Sequence, residues 1–336
     1  MRTRTLLLPI LLLTGLLASC GGSDDATLVI YSGRGEDLVG PLVDQFEEET
    51  GIDVNVNYAG SAELALLIRE EGDKSPADLF LSQSPGAVGF LEDLGVLAPL
   101  PSELLDMVDP ADRSGSDVWV GISGRKRVLV YNQDSVDVGS LPASVLDLTD
   151  SAWSGRVGVA PGNGSFLDFV TAMRFQLGDD VTLAWLEALD ANGVRTYPSN
   201  SSIVEAVGRG EVDVGLVNHY YNVRALAEDD SLPSRNHHFA DDDIGSTVII
   251  ATAAILEGSD RADDAQRFIE FLLENDAQTY FATETFEYPL RLGAGPPEGL
   301  PALSGRGVGS VDFDALGADL ASTLELVESS GVSDGS

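Results

Sequence analysis

The chain has 336 residues, 55 Asp plus Glu against 19 Lys plus Arg, a formal net charge of -36 and one cysteine. A hydrophobic content of 43% supplies a sizeable core and excludes wholesale disorder. The acidity excludes nucleic acid, whose phosphates would be repelled, and the lone thiol excludes an intramolecular disulfide or a multi-cysteine metal site.

Arg2 and Arg4 precede an apolar run, Leu6 to Leu17, too short to span a bilayer but suited to the core of a signal peptide. The run ends in Leu17-Ala18-Ser19-Cys20, followed by the polar stretch Gly21 to Asp25. This arrangement resembles a bacterial lipobox. It predicts a signal peptide over 1–19, a lipidated Cys20 with a linker to 26, and a body tethered outside the cytoplasmic membrane. An ordinary signal peptide with an incidental cysteine is the alternative.

Thr27 to Ser32 reads as a buried strand, and Glu36 to Glu49 as an amphipathic helix with Leu38, Leu42, Val43 and Phe46 on one face. Gly51 sits where that helix stops, and Ile52, Val54 and Val56 alternate as a strand does. Leu64 to Glu71 is helical and Ala77 to Ser82 strand-like. The β-α-β-α-β order implies a parallel sheet, with ligand loops after Ser32, Tyr58 and Leu81. A second α/β unit starts near Val128, with strands at Val128–Tyr131, Arg156–Ala160 and Val212–Val217. Its helices are Phe166–Gln176, Val181–Leu189, Ile203–Gly208 and Val223–Glu228. A strand over Thr247–Ile255 and helices over Asp263–Glu274 and Ala277–Ala282 follow, and the chain from Ser329 is expected to fray.

Nothing points to an enzyme: there is no nucleophile elbow, zincin helix, P-loop or dinucleotide fingerprint. Of the three histidines, His237 and His238 read as solvated loop residues, with a metal site as the alternative, and Asp241 to Asp243 as a solvated face.

The chemistry concentrates at Asn218-His219-Tyr220-Tyr221, between a strand end and a helix start. Asn218 is placed to cap the helix, whose positive end would lower the phenol pKa. Two phenolates are hard oxygen donors suited to a hard, highly charged cation such as ferric iron. Packing with a rim hydrogen bond is the plain alternative. Asn163-Gly164-Ser165 offers backbone amides at a helix start, either as an anion site or as a simple cap, and Asn200 reads as a further cap able to donate to the same anion. Arg125-Lys126-Arg127, the one dense basic cluster, either holds an anion or pairs two parts of the molecule.

Tyr31-Ser32-Gly33-Arg34, Glu49-Thr50-Gly51-Ile52, Glu70 to Asp78, Ser123-Gly124-Arg125, Asn218 to Tyr221 and Glu287 to Arg291 together resemble the bacterial ferric-ion-binding proteins of ABC transporters. The resemblance implies an α/β, two-lobed periplasmic-binding-protein fold, each lobe a mixed sheet flanked by helices, with a ligand cleft at a hinge. The first lobe is expected over 27–124 plus about 250–300, the second over about 125–249 plus about 301–328, and a frayed tail over 329–336. Carried over by position, Tyr220 and Tyr221 match the iron-binding pair. Asn163, Gly164, Ser165, Asn200 and Asn218 match the set that holds a synergistic anion such as phosphate, carbonate or citrate. Arg34, Gly35, Gln83, Ser84 and Arg125 fall in the cleft. Gly35 stands where studied members carry a histidine ligand, and Gln83 where they carry a glutamate. The implied function is capture of Fe(III) by a monomer that delivers it to an ABC permease. The alternative on the same fold is a binding protein for a metal-free anion such as a phosphonate or a sulfate-like solute.

Overall fold

The computed structural model describes residues 27–303 and 320–332. The signal segment 1–19, Cys20 and the linker to 26 therefore lie outside the described residues. Ten strands are described. In chain order they are β1 Leu28–Ser32, β2 Val54–Tyr58, β3 Leu79–Ser82, β4 Val120–Asn132, β5 Val157–Val159, β6 Arg195–Thr196, β7 Val214–Asn218, β8 Ser234–His237, β9 Val248–Ile255 and β10 Tyr288–Pro289. The helices are α1 Glu36–Thr50, α2 Ser61–Glu71, α3 Pro85–Asp93, α4 Ser102–Leu105, α5 Gly164–Leu177, α6 Asp179–Ala191, α7 Asn200–Gly208, α8 His219–Glu228, α9 Ala262–Leu272, α10 Asn275–Thr283 and α11 Leu320–Ser329.

The sheet runs β2-β1-β3-β9-β4-β7-β5-β6. β1 pairs in parallel with β2 and β3, as the β-α-β-α-β order requires, and β5 pairs in parallel with β6 and β7. β9 enters antiparallel between β3 and β4, making the sheet mixed.

β4 changes partner midway. Val120 to Lys126 pair with β9, whereas Arg127 to Tyr131 pair with β7 and Leu129 to Asn132 with β8. Sequence periodicity marked only Val128–Tyr131 as strand, yet all thirteen residues of β4 are buried. The missed part holds Gly124 and Arg125 to Arg127, whose polarity hides a strand until their ion-pair partners are known.

The core divides at the same place. One apolar cluster joins residues from Leu28 to Ile122 with residues from Ile250 to Leu290. Its centre includes Phe46 of α1, edge-on to Phe268 at 5.0 Å and near Phe271 at 5.5 Å. Burying such a ring stabilises by roughly 1.5–3 kcal/mol. α1 stops at Gly51, which takes φ 70° and returns its amide to Glu47 O. The other clusters draw on residues 128–244, with Val327 and Val332 of the chain's last segment. Ser330 and Val332 are buried, so the tail expected to fray from 329 is held through 332. Residues 333–336 lie outside the described set.

Candidate ligand-binding cleft

β7 runs directly into α8, placing Tyr220 and Tyr221 in the first turn of a helix at a strand's carboxyl end. Their rings stack, with centroids 4.2 Å apart and planes 28° off parallel. Tyr220 is buried and Tyr221 half-buried. Both line a cleft of about 640 Å³ together with Arg34, Gly35, Gln83 and Arg224. Arg34, Gly35 and Gln83 belong to the loops after β1 and β3, two of the three positions expected for ligand loops.

The expected effect of the helix end on the phenols is reversed at Tyr220. Burial pushes its pKa well above 10, Tyr221 adds to the rise, and Arg34 only partly offsets it. Nor does Asn218 cap α8 with its side chain. It occupies the cap position, but its Oδ1 accepts instead from Arg127 Nη1 at 3.2 Å. A buried guanidinium short of acceptors competes well for that oxygen.

Asn163 Oδ1 gathers the anion-type residues. It accepts from Ser165 N at 3.1 Å, Ser165 Oγ at 2.6 Å and Asn200 Nδ2 at 3.1 Å. Asn163 is thus a true side-chain cap of α5. Asn200, by contrast, is the first residue of α7 rather than its cap; Ser199 fills that role, accepting from Ser202 N at 3.1 Å. Asn200 Nδ2 also donates to Ser165 Oγ at 3.2 Å, and Arg127 Nη1 lies 3.4 Å from the same oxygen. Arg127 thereby joins Asn163, Ser165 and Asn200 to Asn218 beside the tyrosines. Gly164 has no atom within 4 Å of where a Cβ would stand.

Three arginines are buried around this network. Arg34 Nη2 donates to Glu287 Oε2 at 2.6 Å and Oε1 at 2.8 Å. Arg125 Nε lies 3.8 Å from Glu287 Oε1, and its Nη2 donates to the Gln83 carbonyl. Arg127 lies over Phe169 at 5.5 Å, and burial lowers its pKa to about 9 although Tyr221 and Asp168 favour its charge. Each of the three keeps two guanidinium nitrogens without a hydrogen-bond partner among the described residues. Lys126, itself buried, pairs with the exposed Asp241 at 2.8 Å. The basic cluster therefore pairs parts of the molecule. Of the three buried arginines it is Arg34 that lines the cleft; Arg125 and Ser84, expected there, are not in its lining.

Asp168, on the buried face of α5, was not singled out from the sequence. Burial raises its pKa to about 7, against the pull of a Ser84 hydrogen bond, Arg125 and Arg127. Its signal was a carboxylate among apolar neighbours, Phe166, Leu167, Phe169 and Val170. Gln83 and Ser84 supply no carboxylate but reach Arg125, on the β9-paired half of β4, and Asp168 of α5 in the other core unit.

The histidine expectation also needs correcting. His237 lies in β8, half-buried, with Nε2 3.1 Å from Pro142 O, and burial lowers the half-buried His238 to about 4. Asp243 is likewise structural in part, accepting from Gly245 N at 2.8 Å and Val145 N at 3.2 Å. Among the described residues no group of three or more His, Cys, Asp or Glu could hold a metal ion, and the cleft lining joins the stacked phenols to the separate carboxylates of Asp37, Glu205, Glu228 and Asp229.

Residues 74–317 match the bacterial extracellular solute-binding protein family. The chain belongs to that family. This solute-binding protein is 33% identical over 313 residues to the Fe(3+)-binding periplasmic protein of Serratia marcescens, with 92% of each chain covered. Iron-bound HitA from Pseudomonas aeruginosa superposes with a TM-score of 0.86 at 34% identity, covering 91% of this chain and 99% of that one. The Trichodesmium protein IdiA (FutA), in complex with iron and citrate ligands, gives 0.76 at 25% identity, covering 91% and 99%. The resemblance carried by the sequence motifs is borne out over nearly the whole solute-binding protein, and its fold is the two-lobed periplasmic-binding-protein fold.

Proposed function

We propose that this protein captures ferric iron outside the cytoplasmic membrane and hands it to an ABC permease. The observation that carries the reading is the stacked Tyr220–Tyr221 pair in a cleft between two core units. Both phenols bind iron as phenolates, and an exogenous anion completes the shell. Asn163, Ser165, Asn200 and Asn218 form the network that receives this anion, with the Gly164 amide beside it. Gly35 and Gln83 give the first lobe no imidazole or carboxylate at the usual ligand positions, so water, the anion or a chelate takes those places. The first lobe closes over the loaded site, and closure is favoured because both lobes touch the ligand. Cys20 carries the lipid anchor, and the protein acts as a monomer.

A metal-free anion is the second reading. The unpartnered guanidinium nitrogens of Arg34, Arg125 and Arg127 favour it, with the tyrosines serving as walls. A titration with ferric iron, with and without phosphate, carbonate or citrate, separates the two. The ferric reading expects an orange-red phenolate-to-iron band that Tyr221→Phe abolishes or shifts. A band indifferent to Tyr221→Phe, or none at all, overturns it.

A further inference from the structure

His219 stands immediately before the tyrosine pair, and its side chain is fully buried. Nδ1 accepts from the Lys126 backbone N–H at 3.1 Å, and Nε2 lies 2.7 Å from the Phe286 carbonyl oxygen. With Nδ1 used as an acceptor, the neutral ring carries its proton on Nε2 and donates it to Phe286. The ring also packs at a tilt on Tyr288, with centroids 4.9 Å apart, and edge-on to Tyr220 at 6.1 Å. Asn236 Nδ2 fixes the His219 carbonyl at 2.8 Å.

Both partners of the imidazole lie where the two halves of the sheet meet. Lys126 is the last β4 residue paired with β9, and Arg127 the first paired with β7. The Lys126 amide, at this change of partner, is taken by a side chain. Phe286 has a positive φ of 57° and directly precedes Glu287, the carboxylate that holds Arg34 and Arg125. The next residues, Tyr288 and Pro289, pair with β4 at Gly124 and Ser123. One imidazole therefore ties the tyrosine helix, the crossing strand and the segment that anchors two buried arginines.

We propose that His219 is a positioning residue, the pivot through which occupation of the Tyr220–Tyr221 site is transmitted to the hinge. The inference rests on the reading of those tyrosines as ligands. His219 itself does not touch the cargo; it keeps α8 in a fixed relation to the crossing strand and to the Phe286–Glu287 segment. Closure then moves one body against another instead of loosening the site.

The test compares the unmodified protein, His219→Leu and His219→Asn. Leu removes both bonds, whereas the Asn amide oxygen replaces Nδ1 as acceptor for Lys126. Iron is supplied as ferric nitrilotriacetate. The readouts are the phenolate band, the change in radius of gyration on loading, and the rate of iron loss to a competing chelator. His219→Leu is expected to keep the band, to contract less on loading and to lose iron about tenfold faster. His219→Asn is expected to recover most of the slow release. Unchanged contraction and release in a folded His219→Leu variant overturn the proposal, as does a loss of thermal stability alone. If His219→Leu does not fold, the proposal is judged on His219→Asn, which must release iron more slowly than a Tyr288→Leu control that disturbs packing alone.

A missing band in the unmodified protein is a failure of the ferric reading. The pivot is then judged from hydrogen exchange of the Glu287 amide in ligand-free protein. That amide donates to Phe281 O at 2.8 Å, a bond that neither substitution touches. Exchange faster by about tenfold in His219→Leu supports the pivot, and unchanged exchange overturns it.

Discussion

Asp37 in α1 and Arg224 in α8 meet across the cleft, with both terminal guanidinium nitrogens 3.2 Å from Asp37 Oδ2. The two residues belong to different core units, so the pair forms only when the lobes are near each other. Both are substantially exposed, which limits the bond to about 1 kcal/mol or less. Arg224→Gln is therefore expected to speed iron loss to a chelator by up to about fivefold at low salt. The difference should vanish near 1 M salt, where screening acts over about 3 Å. Equal rates at low salt would remove this pair from the closing contacts.

Asp168 makes stability depend on pH in an unusual direction. Its folded pKa, about 7, lies above the ordinary value of 3.8. Between those values the folded state holds a proton that the unfolded chain has released, so stability falls as pH rises through this window. The accumulated penalty above pH 7 is on the order of 4 kcal/mol. Asp168→Asn, a mimic of the protonated form, should match the native chain in denaturant midpoint only near about pH 3, below the ordinary carboxylate pKa. It should exceed the native midpoint near about pH 8. A native midpoint that rises from pH 5 to 8 relative to the variant would show that Arg125 and Arg127 outweigh burial.

Glu287 is the sole carboxylate in an ion pair with Arg34 and Arg125 among the described residues, and it also accepts from Ser123 Oγ at 3.1 Å. Glu287→Gln leaves two buried guanidinium charges without a counter-charge. Breaking a buried pair in this way costs about 3–5 kcal/mol. Urea denaturation should show a correspondingly lower midpoint with little change in slope, since the same surface is exposed on unfolding.

The alternation of strands and helices was legible because burial on one face imposes a period, which α1, β2 and α9 carry, while β1 and β3, buried on both faces, read as short continuous apolar runs. The tyrosine pair was legible as two adjacent phenols at a strand end. The electrostatics around it were not. That Tyr220 is buried, that Asn218 serves Arg127 and that Glu287 neutralises Arg34 from 253 residues away depend on contacts no local pattern encodes. The strand character of Arg125 to Arg127 failed for the same reason: a charged residue reads as solvated until its distant partner is placed. His219 read as one of three weak bases, and only the meeting of α8, β4 and Phe286 gives it two backbone partners.

If Tyr220 binds iron as proposed, capture must release a proton. Burial holds the free phenol well above its ordinary pKa, so it is protonated at neutral pH, while the bound form is a phenolate. Loading thus expels a proton from a group that would otherwise keep it, and each proton released makes apparent affinity rise about tenfold per pH unit. Acid opposes loading and alkali favours it. The measurement is proton yield on adding ferric nitrilotriacetate to weakly buffered protein with an indicator dye. Proton release or uptake by the chelate itself is common to all samples and cancels in the difference between variants. Tyr220→Phe should yield about one proton fewer per iron bound and show a flatter dependence of affinity on pH. A yield identical to that of the native chain would mean that Tyr220 stays a phenol when the site is loaded, leaving Tyr221 as the phenolate ligand.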